Sequence, residues 1–83
     1  MGKLEVYESL KKVFWLARVG RLSLDSVELL VLDRSSTSGV KRLQLSSEAV
    51  LLSDRVVAGD SQIPLHRILE IWVEGRCVWR RGR

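Results

Sequence analysis

Arg67-Ile68-Leu69-Glu70-Ile71-Trp72-Val73-Glu74-Gly75-Arg76-Cys77-Val78-Trp79-Arg80-Arg81 is the stretch whose reading decides the fold. Its two runs, 67–73 and 76–81, are strand-like, and Glu74-Gly75 divides them. A two-residue break of this kind is a hairpin signal. An antiparallel pair is therefore expected at this end of the chain.

Moving outward, the segments at 40–45, 49–53 and 55–58 are short and apolar. Ser46-Ser47 and Ser53-Asp54 separate them, and Asp60-Ser61-Gln62 leads into Ile63-Pro64. Val27–Asp33 is β-rich, and Ser35-Ser36-Thr37-Ser38-Gly39 after it is a polar loop. Tight turns at this spacing imply antiparallel strands rather than a parallel sheet.

Residues 3–18 differ in period. Val6, Leu10, Val13 and Ala17 recur at helical spacing, flanked by Tyr7 and Phe14. Glu5 and Glu8 come early and Lys11, Lys12 and Arg18 late, which complements the helix dipole. Gly20 is the expected stop. The reading is an α+β fold: one N-terminal helix packed on a five- or six-stranded antiparallel meander or small open barrel, all within a single domain, 1–83. The helix is expected to cover one sheet face, with Trp15 in the core.

Composition narrows the function classes. The chain has 83 residues, 46% of them hydrophobic and 29% charged, with a net charge of +4. That is the balance of a globular domain. Its longest apolar run, Val13–Ala17, is five residues, against the roughly 20 a membrane helix needs. No signal-peptide pattern opens the chain, so a cytoplasmic location and no membrane partner are expected. Cys77 is the one cysteine. It reads as a small core hydrophobe, not a disulfide or metal ligand.

Catalysis has few candidate groups. His66 is the one histidine. Two-histidine phosphoester chemistry lacks its partner, and no metal-ligand spacing or Gly-rich phosphate loop is present. No cofactor is expected, and the chain is read as not an enzyme.

Two constellations point to binding. The first is Ile63-Pro64-Leu65-His66-Arg67-Ile68, where proline stiffens a corner carrying two polar side chains between apolar ones. Either they have a ligand, or His66 bonds to backbone and Arg67 pairs with an Asp. The second is the C-terminal segment. Trp72 and Trp79 lie among Arg76, Arg80, Arg81 and Arg83, the mixture of rings and guanidiniums that single-stranded RNA binding uses. The same tryptophans serve equally as packing. Ten of the fourteen basic residues are arginine, which suits phosphate recognition and also the ion-pair networks of thermophilic proteins. Asp33-Arg34, closing the first strand, either orients a ligand or seals a sheet edge.

Together, a helix ending near a Trp, a strand ending in Asp33-Arg34, the hexapeptide at 63–68 and a hairpin ending in Val78-Trp79-Arg80-Arg81 resemble the archaeal RNA cyclic-group end-recognition domain. That family was formerly catalogued as uncharacterised, and it also occurs fused to nucleotidyltransferase and phosphoesterase-like domains. The resemblance covers most of the chain. Its specific part is the hexapeptide, with Asp33-Arg34 and Trp79 in support; 18–26 and 35–39 carry little of it. It implies recognition of RNA ends bearing a 2′,3′-cyclic or related phosphate, through Asp33, Arg34, His66 and Arg67, with Trp79 stacking a base or packing. His66 would donate to a phosphate oxygen, and Arg67 and Arg34 would grip it. Asp33 would orient an arginine or accept from a ribose hydroxyl.

The expected activity is thus RNA binding at phosphorylated ends, through the His66-Arg67 corner and the basic segment with Arg80 and Arg81. An RNA-processing enzyme acting in trans is a possible partner. Two alternatives stand beside it: a structural module that homodimerises through a sheet edge, and a minimal phosphodiesterase using His66 alone.

Overall fold

Helix α1 runs from Gly2 to Arg18, close to the span its periodicity marks. The computed structural model describes residues 2–81. Gly20, at φ 83°, ends the helix. The Arg21 N–H donates to the Leu16 carbonyl at 2.9 Å and the Gly20 N–H to the Ala17 carbonyl at 3.2 Å. These are the two bonds of a Schellman stop. Val6, Leu10 and Val13 are buried. Trp15 is not: it is 56% exposed, against the expectation of a core tryptophan. At about 100° per residue it projects from the side of the helix away from that stripe.

Seven strands follow, not five or six. They are β1 (Val27–Leu32), β2 (Val40–Gln44), β3 (Val50–Leu51), β4 (Arg55–Ala58), β5 (Ser61–Pro64), β6 (Ile68–Val73) and β7 (Arg76–Arg80). Two 3-10 turns, Leu24–Ser26 and Leu65–Arg67, precede β1 and β6. The strands form two antiparallel sheets, a four-stranded one ordered β2-β1-β6-β7 and a three-stranded one ordered β3-β4-β5. There is no closed barrel among the described residues. The smaller sheet is a meander, while the larger pairs β1 with β6, distant in sequence. The extra strand is β5, whose Ser, Gln and Pro are poor strand formers. It forms because Ala58 pairs with Ser61 across a Gly59-Asp60 turn, with Gly59 at φ 62°. Pro64 is tolerated because β5 is a sheet edge.

The two faces of the larger sheet differ. Val27, Leu29 and Val31 alternate into the core with Ile68 and Ile71 from β6. They meet Val6, Leu10 and Val13 of α1 and Val56, Ile63 and Leu65 of the smaller sheet and its following turn in one cluster. The helix backbone comes closest to the second 3-10 turn and β3. The outer face carries Glu28, Arg42, Glu70 and Trp72. Arg42 donates to Glu28 at 3.0 Å, its guanidinium lies 5.6 Å from the Trp72 ring, and the Trp72 indole N–H donates to Glu70 at 2.7 Å. The β6–β7 turn has Glu74 at φ 53° and Gly75 at φ 78°, the I′ conformation that fits strand twist.

Candidate functional site

The proline elbow is built by what it buries. Leu65 is 1% exposed and Ile68 is fully buried, and the two side chains between them, His66 and Arg67, are exposed. The Leu65 N–H donates to the Asp54 carbonyl at 3.0 Å, tying the turn to the smaller sheet. A 3-10 turn spaced by two such anchors turns both polar side chains outward. Among the described residues, Arg67 makes no ion pair and the His66 ring makes no hydrogen bond. The Asp-paired arginine and backbone-bonded histidine offered as the alternative are thus not what the fold contains.

Asp33 follows the end of β1. Its N–H donates to the Gly39 carbonyl at 2.9 Å, closing the serine-rich loop. Its Oδ1 accepts from the Ser35 N–H at 3.1 Å and the Ser35 hydroxyl at 2.7 Å. These bonds hold the carboxyl below its ordinary pKa, with further help from the charges of Lys41 and Arg67.

That coupling reflects a shared cleft. Asp33, Ser35, Lys41, Gln62, Pro64 and Arg67 are among the residues lining a recess of ≈ 230 Å³ between the end of the larger sheet and β5. Its charged lining is two cations and one carboxylate. The volume is below the roughly 300–1,000 Å³ of small-molecule pockets. It suits a small anion or the terminal group of a larger ligand.

The structure brings Asp33 and Arg67 together and leaves the other expected residues outside this lining. Arg34 and His66, sequence neighbours of Asp33 and Arg67, are exposed beside it. Arg80 donates to Glu70 at 3.0 Å. Arg81 directs Nε and Nη2 at the elbow's carbonyls: Ile68 at 2.8 Å, Leu65 at 3.2 Å and His66 at 3.3 Å. Trp79 packs against the core, cross-strand from buried Ile71, with the Arg81 guanidinium 5.5 Å from its ring. Arg83 lies outside the described residues.

Lys41 is the cleft residue that sequence reading missed. It sits in β2 opposite Val31, and no local signal joins it to Arg67. Cys77 is half-buried, its thiol 3.4 Å from the Trp79 carbonyl. No group of three metal-ligating side chains occurs among the described residues, and no helix of the structure is long and apolar enough to cross a membrane.

No family model matches the chain, and no solved structure matches it. A UPF0248 protein of Methanopyrus kandleri is 33% identical over 55 residues, which span 66% of this chain and 74% of that protein. The chain belongs to the UPF0248 family. This UPF0248 chain thus has a relative in an archaeon. The family name assigns no ligand.

Proposed function

We propose that this chain is an RNA-binding module that seats a phosphorylated end, 2′,3′-cyclic or linear, in the cleft between the sheets. The observation that carries the reading is the pairing of Arg67 with Lys41 around one small recess, neither side chain held in an ion pair among the described residues. Arg67 supplies a planar fork for two phosphate oxygens, and Lys41 a second charge. Asp33, kept ionised, accepts from a ribose hydroxyl. His66 and Arg34 then meet the strand beyond its terminal group. Holding an end this way asks for no turnover, and His66 acts as a donor rather than an acid–base pair.

Fluorescence anisotropy with short RNAs ending in a cyclic phosphate, a linear phosphate or a hydroxyl tests this. Arg67→Ala is expected to weaken binding of the phosphate-bearing ends by about tenfold or more, the worth of a charged hydrogen-bonded contact. Arg76→Ala, an equal change of charge on exposed β7, should cost less than about twofold. Equal losses from the two variants would reduce the interaction to bulk charge. Sustained hydrolysis of the cyclic phosphate, abolished by His66→Ala, would replace this reading with an enzymatic one.

A further inference from the structure

Helix α1, the first 3-10 turn and strand β3 enclose a second recess, an open groove of ≈ 1090 Å³. Phe14, Leu22 and Leu51 contribute apolar surface to it, and the exposed Trp15 and Val50 extend that surface, at 56% and 48% exposure. Exposed apolar side chains gathered in one groove and rimmed by charge are a common mark of an interaction surface. Lys11, Lys12 and Arg18 also line the groove, against one carboxylate, Glu8. Strand β3 bonds to β4 on one side and is the edge of its sheet on the other. None of these residues lines the phosphate cleft.

We propose that this groove docks an acidic amphipathic segment of a partner protein. The segment's apolar side chains would fill the space between Phe14, Leu51 and Trp15, and its carboxylates would meet Lys11, Lys12 and Arg18. Apolar anchors in a groove with charge at the margin are the recognised mode for such segments. The charge selects the occupant. A second copy docked symmetrically would set the same three cations against themselves. RNA would find cations and the rings of Tyr7, Phe14 and Trp15, but the aliphatic Leu22, Val50 and Leu51 that share the lining suit apolar side chains rather than bases. A bilayer surface does not enter a concave groove.

The test uses the full chain and a labelled synthetic peptide of about 16 residues, with Leu at helical i, i+3, i+4, i+7 spacing and Glu elsewhere. Its counterpart carries Lys for every Glu. The expected result is saturable binding of the acidic peptide alone, with amide NMR shifts centred on Lys12, Trp15 and Val50. The double variant Lys12→Glu/Arg18→Glu should weaken it by about tenfold, as should Trp15→Ala, with melting temperatures held close to the parent's. Four results would overturn the proposal: no saturable binding of the acidic peptide; binding indifferent to the charge reversals; the same amides moved instead by single-stranded RNA or by phosphatidylglycerol vesicles; and the same amides moved by protein concentration alone, which would make the occupant a second copy. Because the two sites share no residue, Arg67→Ala should leave peptide binding unchanged whatever the fate of the RNA reading.

Discussion

The Arg81 guanidinium donates to the Ile68 carbonyl oxygen from Nη2 at 2.8 Å and from Nε at 3.2 Å. The same Nη2 reaches the carbonyls of Leu65 and His66. One side chain thereby gathers three backbone oxygens of the turn that projects His66 and Arg67. An arginine that composition would assign to a nucleic-acid surface instead fixes the geometry of the elbow.

Removing that clamp should cost stability. Arg81→Ala removes the charged donor shared by the Leu65, His66 and Ile68 carbonyls, and a charged hydrogen-bonding group is worth about 1.5–3 kcal/mol. Chemical denaturation should show a loss of this order. Arg81→Lys should recover less than half of it, because one ammonium does not reproduce the planar fork. If the chain seats a phosphorylated RNA end as proposed, the salt dependence of RNA binding should flatten in Arg67→Ala and hold in Arg81→Ala, since only the former would remove a phosphate contact.

The three tryptophans should separate cleanly. Trp79 packs against the core, Trp72 lies on the outer sheet face bonded to Glu70, and Trp15 is exposed. Trp79→Ala should destabilise by about 2–4 kcal/mol, and Trp15→Ala by less than about 0.5 kcal/mol. Acrylamide quenching of single-tryptophan variants should be strongest for Trp15.

The β6–β7 turn offers a stabilising change. Glu74 holds φ 53° at a position where Asn is favoured before Gly, and its N–H donates to the Ser26 carbonyl at 2.9 Å. Glu74→Asn keeps that bond and relieves the left-handed backbone, with an expected gain of about 0.5 kcal/mol. Gly75→Ala should lose stability, for it puts a Cβ at φ 78°.

Asp33 sets a pH signature. Its folded pKa is depressed, chiefly by the Ser35 bonds. Its contribution is therefore complete above the unfolded carboxylate pKa of about 3.9 and is lost as pH falls through the lower folded value. NMR titration should place its midpoint below that of a free aspartate, and Ser35→Ala should move it upward. Asp33→Asn should tighten binding of inorganic phosphate, by removing a like charge from beside Lys41 and Arg67. A weakened phosphate affinity would mean that Asp33 orients the cations rather than opposing the anion.

Much of the architecture was legible residue by residue. Val6, Leu10 and Val13 repeat at helical spacing, and Gly20 stops the helix where its backbone bonds require it. Glu74-Gly75 marked its hairpin. Strand β5 is not legible in the sequence, because Ser61, Gln62 and Pro64 have no strand preference of their own and are held there by pairing with β4. Trp15 lies outside the core because its angle to the Val6-Leu10-Val13 stripe points it to solvent, whatever its aromatic character suggests.

The candidate site divides along the same line. His66 and Arg67 between apolar Leu65 and Ile68, after a proline, mark a stiff polar corner in the sequence, but that both side chains face solvent follows only from the burial of Leu65 and Ile68 in the fold. Which groups gather around Arg67 was settled by strand pairing between segments distant in sequence: Val31 of β1 lies opposite Lys41 of β2 on one side and Ile68 of β6 on the other. That pairing brings Lys41 and Asp33 to the recess, the smaller sheet closes it with β5, and the pairing of β7 with β6 turns Arg81 back onto the elbow. Sequence spacing encodes periodicity within an element; distances between elements arise only when apolar faces are buried against each other, and a binding cleft is a property of those distances.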